Sequence, residues 1–496
     1  DVQVVERGVG RKLFAVKDVD EMILGAENNE FERGLNVFHL TCIGIGSIIG
    51  SGIFVYSGTV AANNAGPAVV VSFVLAGIVA SLSALCYSEI ASMIPVAGSA
   101  YSYTYATMGE FIAWIVSWML VLEYLVGASA VAVGWSGYLT KFCSDAFGLQ
   151  LSPKLVGSFV EFHEETSGFS LTGNYFNLPA VVITVLVTLL LVLGTKESAM
   201  LASAVVTVKV VIILVFVLGT VDKVDPLNWT PFVPAARDDY YGHYGVMGVL
   251  KGASIVFFCY SGFDAVSTAA LESKNPRRDM PIGIIGSLII STALYIAVSL
   301  VMCGIAPYSE YNVDQPISVA IAFTGRKWLE LVVGLGAVVG MSTTVYTSLL
   351  AQARIFYSMA QDGLLPSFFG QVSPRFKTPL VSQVIVGMVA SLVAAVFPVD
   401  VLGELSGMGT LFGFCLVCVG TMILRIQRPD LPRGFKVPFG PYPIPILGAV
   451  TSAGLIFAAS PGALLRLLGW LVLGIILYFS FGFRYSRINH PEKWHK

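Results

Sequence analysis

The sequence predicts an all-α integral membrane protein of about twelve transmembrane helices, two of them broken. Three observations carry this. The 496 residues are 55% hydrophobic and 12% charged, with mean hydropathy +0.78, whereas soluble domains carry about 25% charged residues. A run of about 20 apolar residues spans the hydrocarbon core as a helix, and the chain holds about twelve such runs. Two runs are interrupted by small and polar residues: IGIGSIIGSGIF at Ile43–Phe54, with four glycines and two serines, and CYSGFD at Cys259–Asp264. In lipid every backbone N–H and C=O needs a partner. A helix therefore unwinds only where protein buries it or where it lines a cavity.

The hydrophobic segments follow in order. Segment 1 (37–62) carries the first interruption. Segments 2 (68–95), 3 (106–140), 4 (177–196) and 5 (198–220) read as continuous helices. Segment 6 (246–270) carries the second interruption. Segments 7 (281–305), 8 (327–358), 9 (379–398), 10 (402–425), 11 (441–460) and 12 (463–484) complete the set. Pro67, Pro95, Pro281, Pro366 and Pro379 fall at segment ends, where proline starts or stops helices. A transmembrane barrel is excluded, because its strands are short and alternate in polarity.

The segments divide into two sets of five, each opening with a broken helix, plus two extra. An odd number per set inverts the second relative to the first, which is a five-plus-five inverted repeat. Matching breaks in two halves point to a transporter's substrate site. The expected organisation is a cytoplasmic N-terminal segment (1–35), a first repeat (36–220), an outer loop (221–245) and a second repeat (246–425). A cytoplasmic connector (426–440), segments 11 and 12 (441–484) and a tail (485–496) follow. Segments 11 and 12 are expected to serve packing or oligomer contacts.

Charge sets the expected orientation. Basic residues crowd one set of loops: Arg277, Arg278, Arg375, Lys377, Arg425, Arg428, Arg433, Lys436, Arg484, Arg487, Lys493 and Lys496. Acidic residues crowd the other: Glu161, Glu164, Glu165, Asp222, Asp225, Asp238, Asp239, Glu310 and Asp314. The positive-inside rule then puts both termini in the cytoplasm. A net charge of −2 suggests no nucleic-acid partner. The first stretch of about 35 residues lacks the apolar core of a signal peptide and reads as a flexible cytoplasmic segment. The seven cysteines show no disulfide framework. Cys415 and Cys418 form a CxxC without a partner pair, where packing outweighs a four-ligand zinc site. Scattered histidines add no metal spacing, so neither metal nor cofactor is expected. Asn228-Trp-Thr is a glycosylation sequon, and a chance match is an equal reading.

Several charged residues fall within segments. Glu123 lies mid-segment in LEYLVGASA, and a buried carboxylate there is a functional hypothesis by default. It either lines a pocket for a cationic side chain or serves the scaffold as a protonated hydrogen-bonding group. Lys209 lies about ten residues from either end of segment 5, about 15 Å deep at 1.5 Å per residue. That is beyond snorkelling, and a central lysine costs about 2.5–3.5 kcal/mol, so it needs a partner. Asp264 opens the inner half of segment 6, where the helix dipole favours a carboxylate. Helix capping and coupling to a gate or proton are both open for it. Glu89 and Glu110, near segment ends, read as solvated or tied to loops.

The motifs together resemble the amino acid–polyamine–organocation superfamily, specifically its cationic amino acid transporter family. The matching stretches are GIGSIIGSGIF, NAGPAVVVSFVLAG and YSEIASMIPVAGSAYSYTYATMGEFIAW in the first half. GFDAVSTAALESKNPRRDMPIGI and ARIFYSMAQDGLLP match in the second. Each alone is weak; together they are specific, and they run from about Phe31 to Phe483. The resemblance implies the LeuT-like fold of five-plus-five helices. It implies that amides around Gly50, Ser51 and Gly52 hold a substrate carboxylate, as a helix N-terminus can. The carbonyls of Ile48, Phe258 and Ser261 would take the ammonium, and the Phe258 ring would gate. Close helix packing through small residues, and core packing of Phe258, are the plainer alternatives. Lys209 would place its ammonium between segments 1 and 8, near break carbonyls and the hydroxyls of Ser342 and Thr343, and exchange a proton; a fixed structural tie is its alternative. Ser348 would lie beside the substrate side chain, or else face a neighbouring helix or lipid.

The resulting expectation is an importer of L-amino acids, cationic ones favoured, coupled to protons and working by alternating access in the plasma membrane. Its partners are the amino acid, protons and the lipid bilayer. A carrier or exchanger of small neutral amino acids is the alternative. A sensor without net transport is a rival of another class, weakened by the absence of any long soluble domain. Enzyme motifs such as HExxH or GxSxG are not present.

Overall fold

The computed structural model describes residues 12–27, 34–96, 98–163, 168–193, 198–237, 241–313, 315–374 and 378–490, with side chains 25–27, 193, 198–202 and 271 left aside. Glu164, Glu165, Asp238, Asp239, Asp314, Arg375, Lys377, Lys493 and Lys496, used above for orientation, lie outside the described residues. The structure is 77% helical. Among the described residues, eight helices are long and apolar enough to cross a membrane, and four shorter apolar helices accompany them: Val37–Ile48, Leu178–Val192, Leu380–Val396 and Pro443–Phe457.

Segment 1 starts at Val37, capped by the Asn36 side chain, which accepts from the His39 N–H at 3.1 Å. It stops at Ile48, and an outer half resumes beyond Gly50, π-wound over Gly52–Tyr56. Segment 2 is one helix, Val69–Met93, ended ahead of Pro95. Segment 6 runs as Gly245–Val256, tightens into a 3-10 turn over Phe257–Tyr260, and restarts at Ala265–Thr268. Gly262 has φ +110° between them, a backbone angle that favours glycine.

Two boundary expectations fail. Segment 3 is not one helix from 106. Ser99–Thr107 forms a separate helix, and Gly109 at φ +93° turns the chain before Glu110–Leu120 begins. Right-handed helix needs negative φ, so that glycine ends one element and opens the next. Segment 3 then continues through a π-wound stretch, Val121–Val126, into Gly127–Phe147. Segment 7 starts at Pro276 and carries Pro281 inside it, running to Ile305. Pro276 opens the helix, where its missing N–H has no partner anyway, whereas Pro281, in the second turn, removes the helical donor to the Arg277 carbonyl.

Segment 8 is the longest helix, Lys327–Gln361, and segment 10 spans Val399–Gln427. Between segments 3 and 4 lies a two-stranded antiparallel hairpin, β1 (Val160–His163) with β2 (Gly168–Leu171). Lipid tails are as apolar as leucine, so packing and interhelical hydrogen bonds hold such helices together, at about 0.6–2 kcal/mol per bond. Examples are Ser72 Oγ to Val249 O at 2.9 Å, Ser129 Oγ to Ala390 O at 3.0 Å and Trp135 Nε1 to Val338 O at 2.9 Å.

Two buried carboxylates staple helix ends. Glu89 accepts from Arg425 Nε at 2.6 Å, Arg433 Nε at 3.1 Å and the Val437 N–H at 2.7 Å. Glu110 accepts from Tyr105 at 2.7 Å, Tyr478 at 2.9 Å and Asn489 Nδ2 at 3.1 Å, with Ser486 adding a fourth bond. Both glutamates are fully buried, so the solvated reading is wrong and the tied one describes them. The described part of the N-terminal segment is likewise held, not flexible. Lys17 pairs with Asp362 at 2.6 Å, and the Lys12 carbonyl accepts from Asn489 at 3.0 Å. The two ends of the described chain therefore meet on one face. Asn228 spends its side-chain amide on the Gly304 carbonyl at 2.9 Å, which favours the chance reading of its sequon.

Candidate functional site

The two breaks face each other across a small cavity. Ile48, Gly50, Ser51, Gly52, Glu123, Phe258, Ser261 and Ser348 all line it. Lys209, Ser342, Thr343 and Asp264 do not.

Segment 1 breaks because its backbone turns on itself. The Ile49 N–H still reaches Ile45 O at 2.8 Å, but the Gly50 N–H folds back to Ile48 O at 3.0 Å. Two expectations change here. The Gly50 amide is engaged, so the helix start that follows rests on Ser51 and Gly52, where first-turn N–H groups have no carbonyl ahead of them. The Ile48 carbonyl is also not open: it accepts from the Tyr295 hydroxyl at 2.7 Å. That hydroxyl lies at 2.7 Å from Cys259 O as well. One proton thus serves a carbonyl from each break, and one of the two keeps room for another donor.

Unpartnered polar atoms gather at this place. Ser47 Oγ, Ser51 Oγ, both Glu123 oxygens and Asp264 Oδ1 are buried without a hydrogen-bond partner. Buried polar groups are normally paired, and each left unpaired costs about 1–3 kcal/mol. Such a group of orphans around a cavity suits a polar guest.

Glu123 sits in the π-wound stretch of segment 3, only 1% exposed. π-Bulges free backbone groups and recur at functional sites. Here the Glu123 carbonyl is taken by Ser406 Oγ at 3.0 Å. Ser261, Thr410 and Asp264 surround the carboxylate without meeting it in hydrogen-bond geometry. Asp264 does not cap its helix, since its side chain reaches no N–H of Ala265–Thr268. It turns instead to the Tyr124 hydroxyl and to Ser99 Oγ at 3.3 Å. A strong phenol donor next door outcompetes a cap on a helix of four residues.

Lys209 is 1% exposed and donates to Ile49 O at 2.6 Å and Gly46 O at 3.2 Å, with Thr344 Oγ1 at 3.5 Å. The expected position between segments 1 and 8 holds, but Ser342 and Thr343 are not its partners. Ser342 Oγ donates to Val338 O at 2.8 Å and accepts from Trp135 at 2.9 Å; Thr343 donates to Gly340 O at 2.7 Å. Successive residues turn about 100° on a helix, so the face toward segment 1 belongs to Thr344. Thr344 Oγ1 itself lies 3.0 Å from Gly46 O.

Phe258 stands edge-on to Tyr56, with ring centroids 5.1 Å apart. Tyr56 is anchored through its hydroxyl to Val399 O at 2.6 Å. The Phe258 carbonyl accepts from the Ser261 N–H at 3.1 Å. Sequence reasoning missed Thr344, Tyr124, Tyr295 and Ser47. Thr344 was one residue from the chosen pair and Ser47 lay inside the first interruption, whereas Tyr124 and Tyr295 carry no local signal and are joined to the site only by the fold.

The fold and this cavity describe a multi-pass membrane protein with a central polar compartment. The amino acid permease family matches residues 35–461, and the chain belongs to that family. It is 39% identical over 477 residues to a methylthioribose transporter of Bacillus subtilis, covering 96% of this chain and 99% of that one. It is 40% identical over 479 residues to the branched-chain amino acid permease BcaP of the same organism, with 96% and 99% coverage. A vacuolar cationic amino acid transporter 4 of Arabidopsis thaliana is 38% identical over 403 residues, 81% of this chain and 65% of that one.

Proposed function

We propose that this permease imports L-amino acids across the plasma membrane, coupled to protons, by alternating access of a twelve-helix, five-plus-five inverted repeat. The observation that carries the reading is the cavity between two broken helices, with unpartnered Ser47, Ser51 and Glu123 around it. The substrate carboxylate takes the helix start at Ser51 and Gly52. The ammonium takes the break carbonyls of segment 6 at Ser261 and Cys259, where the shared Tyr295 proton leaves room for another donor. Lys209 exchanges the coupled proton, with Gly46, Ile49 and Thr344 as its acceptors. Chain ends that meet on one face support an even number of crossings, and the basic loops support cytoplasmic termini.

The unpaired carboxylate of Glu123 favours a cationic side chain such as arginine, lysine or ornithine. A second reading, transport of neutral amino acids, is favoured by the branched-chain relative that this chain covers almost end to end. Uptake of labelled arginine by reconstituted vesicles, with lysine, ornithine, alanine and leucine as competitors, separates the two. Competition by lysine and ornithine at lower concentration than leucine supports the first; the reverse order supports the second.

A further inference from the structure

We infer that Gly127 seats the Phe258 ring and so fixes how tightly the lid closes over the cavity. The inference rests on the proposed role of Phe258 as a gate. Gly127 lies on segment 3 one turn beyond Glu123, where the π-wound stretch gives way to regular helix. It lines the cavity. A Cβ placed on it would stand 3.3 Å from Cε2 of Phe258 and 2.9 Å from Oγ of Ser406. Segment 10 presents a second glycine to the same residue. A Cβ on Gly407 would stand 3.4 Å from Cβ of Phe258 and 3.3 Å from its backbone nitrogen. Gly127 thus borders the ring itself and Gly407 the root of the same side chain, with Tyr56 edge-on to the ring.

Helix packing alone explains a glycine that meets only a neighbouring helix. Gly127 meets Ser406 of segment 10, but it also meets the ring and the cavity. Ser406 connects these facts. Its hydroxyl bonds the Glu123 carbonyl that the π winding frees, and it is the atom that a side chain at 127 would strike first. The π-wound stretch, Ser406 and the ring therefore form one unit. A methyl group at 127 pushes the ring off its seat and leaves the lid ajar, without touching any group assigned to the substrate.

The test compares release of labelled arginine, or of leucine if that is the substrate, from four purified proteins: wild type, Gly127→Ala, Phe258→Ala and the double variant. Gly127→Ala should speed release by about two- to tenfold, the rate equivalent of holding a side chain off its rotamer. KM should rise with it while Vmax changes less. The double variant should release no faster than Phe258→Ala, because without a ring there is nothing to seat. Alanine favours helix over glycine, and an unchanged melting temperature of Gly127→Ala in detergent separates a moved ring from misfolding. Acceleration by the same factor with and without the ring, or none in either background, would overturn the inference. If Phe258→Ala alone leaves release unchanged, the lid reading itself falls, and that result is distinct from a failure at Gly127.

Discussion

Thr344 shows how a single residue carries much of the site. Its hydroxyl, with the carbonyls of Gly46 and Ile49, surrounds the Lys209 ammonium. Thr344→Val keeps the shape and removes the hydroxyl. It should lower proton-driven uptake by about tenfold or more, because a lost hydrogen bond to a charged group costs about 1.5–3 kcal/mol. Ser342→Ala, two residues away and bonded only to Val338 and Trp135 among the contacts above, should change uptake less than twofold. Equal effects of the two on the pH dependence of uptake would break the assignment. Ser348 tests specificity. If its short side chain leaves room for a long substrate, Ser348→Met should weaken arginine or lysine binding by about tenfold or more, with alanine little changed. A parallel loss for both ligands points to misfolding, and no change for either removes Ser348 from the pocket.

Part of this was legible in the sequence. Among the residues that line the cavity, the glycines and serines of segment 1 and Glu123 stand out because they contradict their apolar surroundings, whereas Phe258 and Ser348 came only through the family resemblance. Lys209 was found for the same reason, and its acceptor on segment 8 was missed by one residue because apolar runs on both faces hide the helical phase. Capping was one reading of Asp264 because a helix start is visible in sequence. Tyr124 and Ser99, which hold it, come from elsewhere in the chain. Tyrosines such as Tyr295 look like core until the fold places a hydroxyl between two breaks.

At the scale of elements, the breaks in segments 1 and 6 decide the architecture. Each break removes helical hydrogen bonds in a medium that offers no water, and each is repaired by a partner: Tyr295 across the two breaks, Lys209 on segment 1, Ser261 on the Phe258 carbonyl. A branched side chain at Gly50 would meet Thr344, whose Cγ2 would lie 2.8 Å from the new Cβ. Gly50→Leu should therefore abolish amino acid binding while the protein still inserts and purifies as a monodisperse species. Unaltered ligand-induced thermal stabilisation in that variant would place the site elsewhere. The length of segments 8 and 10 and the split of segment 3 were less legible, since a lone glycine at 109 does not announce a positive φ.

At the scale of the molecule, buried carboxylates fasten one end of the bundle. Glu89 joins segment 2 to segment 10 and to the connector through Arg425 and Arg433. Glu89→Ala leaves two arginines without their carboxylate and should cost about 3–5 kcal/mol of stability, read as a lower melting temperature in detergent. A melting curve unchanged from wild type would mean that the pair is solvated in the working protein. Glu110 does the same for segment 3, segment 12 and the residues after it, through Tyr478, Ser486 and Asn489.

The central claim is proton-coupled uptake through the paired breaks, and gradient-driven transport tests it most directly. Vesicles holding the wild-type protein are given an inward proton gradient, and accumulation of labelled arginine or leucine is followed with and without a protonophore. The account predicts accumulation above equilibrium that the protonophore collapses, and no such accumulation by Lys209→Met although that variant still binds the amino acid. Accumulation independent of the gradient, or preserved in Lys209→Met, would contradict it.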